Sequence, residues 1–260
     1  MTIRVNCGND DLSKFIQKRE LEPQSESYIL TVKAEALRLA NLHKDAVEKY
    51  LQVVMLDRTN VEAYLGAAYC YKHLEKFDKA IKILESAKDF CEENFNVYLE
   101  LGLCYMNTGE ICKAMPNLMS AIKLDRTNLN AQIQLAHAHE FCEETDLALM
   151  IYQKIIEQNS AYIRAYEHKA NLLMSLGRFK EASKVLYDVI KINPDFYRAY
   201  MGIALCFDKM NRYADAIRYY RMYLSRKPNS KDKDDILERL KDLKEKVGSS
   251  KSSNVELKIV

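Results

Sequence analysis

A chain of 260 residues is long enough for one large or two ordinary domains, and with 48% apolar and 29% charged side chains it can bury a sizeable core. Seven glycines and four prolines leave little material for loops and strand corners, which favours helices. A formal charge of +2, from 39 basic and 37 acidic side chains, gives no basic excess to neutralise a phosphate backbone, so charge points to neither nucleic acid nor a membrane.

The seven cysteines, Cys7, Cys70, Cys91, Cys104, Cys112, Cys142 and Cys206, are odd in number and none stands in a C-x-x-C pair, so they read as reduced thiols in helices. Met1 to Asp11 lacks the apolar core of a signal peptide, and no apolar run reaches membrane-spanning length. The expected setting is soluble, reducing and cytoplasmic.

In chain order, residues 1–26 form an N-terminal arm in which Leu12, Phe15 and Ile16 can make a short helix before Pro23 breaks it. From Ser27 the sequence repeats every 34 residues without gap or insertion. One column holds Ala46, Ala80, Ala114, Ala148, Ala182 and Ala216; another holds Ala34, Ala68, Gly102, Ala136, Ala170 and Ala204. Nothing larger than a methyl group occupies either, which is what helix axes require at the close end of the usual packing range. Bulk gathers around them, as Tyr64, Tyr98, Tyr166 and Tyr200 at the fourth position, Tyr71, Tyr105, Leu173 and Phe207 at the eleventh, and Tyr50, Leu84, Leu118, Tyr152, Leu186 and Tyr220 at the twenty-fourth.

Each copy divides into two amphipathic segments, as in Glu62–Leu74 and Asp78–Phe90, separated by a short polar turn. The turn carries Asn41, Glu75, Gly109, Glu143, Gly177 and Asn211 at the fifteenth position, and the glycines suit a helix C-terminus. Asn60, Asn94 and Asn128 close three repeats where they can cap the next helix, and Pro194 and Pro228 end two others. Beyond the last copy, Asp234 to Val247 sets Ile236, Leu237, Leu240, Leu243 and Val247 on one face before Gly248, as a capping helix would. Residues 248–260 read as a flexible tail, although Val255, Leu257 and Ile259 alternate as a strand added to a partner would.

The pattern of a small residue at eight, an aromatic at eleven, Gly at fifteen, Ala at twenty and Pro at thirty-two closely resembles the tetratricopeptide repeat, or TPR. Phe95 to Asn128 carries it as Tyr98, Leu101, Gly102, Tyr105, Gly109, Ala114 and Ala121; the fifth copy adds Leu176, Gly177, Phe179, Ala182 and Pro194. Departures are Lys33 and Lys169 where the family prefers Leu, His139 where it prefers an aromatic, and Pro116 near the start of a second helix. The resemblance implies an all-α, right-handed α-α superhelical solenoid of six helix-turn-helix repeats at 27–60, 61–94, 95–128, 129–162, 163–196 and 197–230, with the capping helix at 231–247.

In that family the first helix of each repeat lines a concave groove, and the positions that point into it are here Leu65, Tyr69, Leu99, Leu103, Met106, Ile133, His137 and Phe141. This apolar strip can seat an amphipathic helix or an extended peptide of a partner protein, or it can pack against neighbouring repeats or beneath a terminal segment. Glu35, Glu62 and Glu100 lie toward its first half, and Arg164, His168, Arg198 and Lys209 toward its second. The family's clamp for a carboxy-terminal carboxylate pair has no match. His137, His168 and Arg198 echo it in part, with Ile133 and Gly202 in the remaining places, so an acidic contact at Arg164, His168 and Arg198 stands beside simple solvated scatter.

No Gly-rich phosphate loop, nucleophile elbow, H-E-x-x-H or calcium loop is present, so neither catalysis, a cofactor nor a metal is expected. His137 and His139 lie roughly 200° apart around a helix and cannot share a metal; His139 reads as a buried aromatic substitute. A protein-binding scaffold or adaptor is the leading reading. A noncatalytic subunit or homo-oligomeric, self-associating assembly factor is the alternative, and an RNA-binding helical repeat is disfavoured because no Arg or Lys stripe recurs at the inner positions. If the register is right, Ala80→Leu overpacks a repeat interface and costs about 1 to 3 kcal/mol, read as a lowered unfolding temperature.

Overall fold

A computed structural model describes residues 25–90 and 93–256, the side chains of 249–256 excepted. The expected N-terminal arm with Leu12, Phe15 and Ile16 therefore lies outside the described residues, as do Cys7, Cys91 and the side chains of Val255, Leu257 and Ile259. Among the described residues there are thirteen α-helices and no strand: α1 Glu26–Leu39, α2 His43–Leu56, α3 Val61–His73, α4 Phe77–Phe90, α5 Phe95–Asn107, α6 Ile111–Leu124, α7 Leu129–Phe141, α8 Thr145–Gln158, α9 Ile163–Ser175, α10 Phe179–Ile192, α11 Tyr197–Lys209, α12 Tyr213–Arg226 and α13 Lys233–Glu256. They fall into two compact units, Met1–Cys142 and Glu143–Val260.

In the first unit each helix packs on the next, and α1, α3, α5 and α7 also pack in succession, so the first helices of consecutive hairpins form one layer. In the second unit α8 to α13 likewise pack each on the next. All twelve residues of the two small columns are buried. The six side chains at the twenty-fourth position are buried against them, from Leu84 and Tyr152 at 0% exposure to Leu186 at 4%. Gly102 shows how tight the fit is: a Cβ there would stand 2.6 Å from Leu118 Cγ.

Every hairpin turns in the same way. All six residues at the fifteenth position adopt positive φ, from 57° at Asn211 to 79° at Gly109, and they include Glu75 at 58° and Glu143 at 60°. The amide that follows then donates back to a carbonyl five residues earlier, as Lys76 does to Tyr71, Glu110 to Tyr105 and Arg178 to Leu173, which satisfies a helix-end carbonyl. Asn60, Asn94 and Asn128 cap α3, α5 and α7 through their side-chain oxygens. At the fourth position the Tyr166 and Tyr200 hydroxyls donate to the carbonyls of Ser160 and Pro194. Gln132 is buried in the same column of the fourth copy, and its Nε2 donates to the Arg126 carbonyl at 2.8 Å, the same six-residue reach made by an amide.

Pro116 is the sixth residue of α6, a full turn further in than the sequence suggests; the helix continues because Cys112, whose carbonyl loses its partner, is exposed. His139 is half-buried rather than fully enclosed. The last helix runs through Gly248 to Glu256, since an isolated glycine weakens a helix without ending it. Ile236, Leu240 and Leu243 of α13 are buried against the last hairpin, and Arg239 forks onto Asp208 of α11 at 2.8 and 2.7 Å. Because an L side chain at positive φ is strained, Glu75→Gly should stabilise the chain by about 1 kcal/mol in urea unfolding, and Gly109→Ala should destabilise it comparably.

Candidate functional site

The first unit carries a cleft of about 380 Å³ across α1, α3 and α5, lined by Glu35, Arg38, Glu62, Leu65, Tyr69 and Glu100 among others. Its floor depends on Gly66. Tyr50 of α2 lies so close to the α3 backbone that a Cβ at Gly66 would stand 2.3 Å from the phenol Cζ. That approach lets the buried Tyr50 hydroxyl donate to Glu35 Oε2 at 2.6 Å. Arg38 Nε donates to the same oxygen at 2.9 Å, and Nη2 donates to Oε1. Burial alone would raise the Glu35 carboxyl, but the bonds from Arg38 and Tyr50 outweigh it and hold the group below its ordinary range. Burial and the charged Glu35 in turn push the Tyr50 phenol well above its usual value.

The charges in this cleft are largely matched from within. Arg38 is held by Glu35, and Lys72 of α3 pairs with Glu100 of α5 across the hairpin interface. Glu62 is exposed on the rim. Tyr69, 37% exposed, stands as one wall with the Arg38 guanidinium 4.9 Å from its ring centroid. A cation desolvated on one side and laid over an aromatic face is attracted by the ring quadrupole, so Arg38 fixes the orientation of Tyr69 as well as the charge of Glu35.

The eight apolar positions expected to form one strip divide into four groups. Leu65 and Tyr69 line the cleft. Leu99 and Ile133, at 8% and 2% exposure, are core residues and not groove contacts. Leu99 is enclosed with Leu118, Ala121, Ala131 and Ala138 of α6 and α7. Leu103 and Met106 are half-buried against that cluster, and His137 is half-buried on α7. Phe141, at 68% exposure, stands at the end of α7.

In the second unit, Arg164 and Lys209 are exposed, and Arg198 places Nη1 3.7 Å from Glu167 Oε1 with two thirds of its side chain in solvent, where such a pair contributes little. The His168 ring stacks on Tyr152 at 5.8 Å, so it serves packing first. A second recess lies beside α13, lined by Met201, Leu205, Asp208, Lys209 and Arg239. Asp208 occupies the twelfth, inward position of its repeat, and Arg239 already fills it. Burial would raise its carboxyl, but Arg239 holds it below the ordinary range.

Arg38 and Gly66 are the site residues that the sequence did not single out, and Tyr50 stood out only as bulk at the twenty-fourth position. Gly66 did leave a signal: a glycine inside the helical run Ala63-Tyr64-Leu65-Gly66-Ala67 calls for a close neighbour. Among the described residues no group of three His, Cys, Asp or Glu side chains is placed to hold a metal ion, and no helix is long and apolar enough to cross a membrane. Burial pushes the thiols of Cys70, Cys104 and Cys206 up to about 11, which makes them poor nucleophiles.

Family profiles described as tetratricopeptide repeat match residues 61–94, 95–128 and 168–231. Among solved structures, the C-terminal part of a TPR repeat-containing protein from Cytophaga hutchinsonii is similar with a TM-score of 0.68 at 19% identity, over 78% of this chain and 82% of that one. YrrB, described as a TPR protein with an unusual peptide-binding site, matches with a TM-score of 0.55 at 22% identity, over 72% of this chain and 94% of its own. MamA matches at 26% identity with a TM-score of 0.55, over 62% of this chain and 94% of its own. No curated protein sequence matches the chain.

The cleft floor makes a direct test. Gly66→Ala should cost about 1 to 3 kcal/mol in thermal or urea unfolding, since the Tyr50 ring is enclosed and has nowhere to retreat.

Proposed function

The chain belongs to the tetratricopeptide-repeat family, and from that premise we propose that it is an interaction scaffold whose first unit receives a peptide or helix of a partner protein in the cleft walled by Leu65 and Tyr69. The observation that carries this reading is the cleft itself: three successive first helices leave a concave space with a partly exposed aromatic side chain, held by Arg38, on its wall. Aromatic side chains fixed in this way present large contact area at little further entropic cost, which is why they dominate the energetics of interfaces. Because Arg38 and Lys72 are already matched by Glu35 and Glu100, the partner segment is chosen by shape and by apolar contact with Leu65 and Tyr69. The fold is one that YrrB also has, and a peptide-binding site is described for that protein.

On the second unit, Arg164 and Arg198 are the exposed cations that would meet an acidic stretch of the partner, with His168 behind them. The scaffold acts without catalysis or cofactor, in a reducing cytoplasmic setting that suits buried thiols, and it recognises protein rather than nucleic acid or membrane. Self-association of the chain through the same cleft is the alternative use.

Tyr69→Ala combined with Glu62→Arg changes the wall and the rim of the cleft. Partners recovered from the native cell by the wild-type chain should fall by at least about tenfold with this variant at unchanged helix content. Equal recovery of every partner would place the interface elsewhere.

A further inference from the structure

The Tyr69 wall continues outward from the cleft as a stack of rings. Tyr69 meets the His73 ring at 4.4 Å, His73 stacks on His43 at 4.7 Å with 17° between the planes, and His43 turns its edge to Tyr69 at 6.1 Å. Arg38 lies over Tyr69 at 4.9 Å. Three helices converge here: Arg38 comes from the last turn of α1, His43 is the first residue of α2, and Tyr69 and His73 lie on the last two turns of α3. Among the described residues, the titratable and charged groups shown to act on His43 are His73 from α3 and Arg38 from α1, and Tyr69 of α3 meets both imidazoles. Glu35 is engaged by Arg38 and Tyr50, and among the described residues neither imidazole is ion-paired with a carboxylate.

Nothing about this arrangement welcomes two protons. Two stacked imidazolium rings would place like charges within 5 Å of each other and beside a permanent guanidinium. His43 opens a helix, the end at which the peptide dipoles disfavour positive charge. Its Nδ1 is buried without a hydrogen-bond partner, so a proton there would have no acceptor. Burial first, then His73 and Arg38, hold the His43 imidazole below its ordinary value.

We infer that the stack makes the Tyr69 wall of the cleft proton-sensitive: when His43 and His73 both carry protons the rings part, and Tyr69 loses its place between His73 and Arg38. This concerns the regulation of the cleft and so rests on its reading as the partner site, but the behaviour of the stack needs no partner. The sign follows from proton uptake. With the His43 value lowered by folding, the folded chain binds fewer protons than the unfolded chain, so the stability this gives is present above the ordinary imidazole value of 6.5 and is lost as pH falls below it.

The test is a proton NMR titration of the free, full-length chain from about pH 8 to about pH 4.5, following the ring protons of His43, His73 and Tyr69, with His73→Gln and His43→Gln alongside and circular dichroism as the check on folding. The expected result is a His43 midpoint below 6.5 that rises when His73 is replaced, with Tyr69 resonances that move at the same midpoint in the wild type and stay still in both variants. A His43 midpoint indifferent to His73, or Tyr69 resonances that ignore it, overturns the inference. If His73→Gln does not fold, His43→Gln decides alone: loss of the acid-induced Tyr69 movement supports the stack, and its persistence refutes it. Partner recovery with the Tyr69→Ala and Glu62→Arg variant reports on the cleft itself, so failure of either reading leaves the other standing.

Discussion

The structure depends on how near two helix axes can come. Where the eighth and twentieth positions carry no atom beyond Cβ, one helix lies against the next closely enough for a large twenty-fourth side chain to be wholly enclosed. Gly66, Gly102 and Gly202 mark the tightest of these approaches, because the side chains that press on them, Tyr50, Leu118 and Leu186, all belong to that one column. Each such enclosed side chain contributes about 1.5 to 3 kcal/mol of burial. That gain is shared across hairpin boundaries, so no hairpin holds its own shape without a neighbour.

The same constraint explains what could be read from the sequence. Hairpins, turns and caps recur at fixed spacing, and six copies reinforce one another, so the register placed the small columns without help. Two turn residues show where repetition outperforms residue type. Glu75 and Glu143 offer no local reason for a left-handed backbone, and only their place in a column with Gly109 and Gly177 tells that they adopt one. Gln132 is the converse, a residue whose buried role appears only when its amide is seen to reach the carbonyl that a tyrosine reaches in other copies.

The candidate site was less legible because exposure is not a property of a single repeat. Leu65, Leu99 and Ile133 hold the same position in successive copies, yet Leu65 lines a cleft while Leu99 and Ile133 are buried. The group that shapes the cleft, Arg38 with Glu35, Tyr50 and Gly66, draws on four different columns across the first two copies, and its Glu-Arg pair recurs in no other copy, so only Tyr50 left a periodic trace. Its effect is to engage the nearby cations internally, Arg38 with Glu35 and Lys72 with Glu100, whereas Arg164 and Arg198 in the second unit are exposed.

Within each unit the substantial packing runs between helices that are consecutive or next but one along the chain. Such a chain never has to bring distant segments together before contact is rewarded, and closing the short polar turns costs little entropy. Topologies rich in local contacts fold fast for their size, and a repeat array can start from any adjacent pair of hairpins, without a single obligatory nucleus. The repeat that makes the architecture readable on the page is thus also what makes it quick to find in solution.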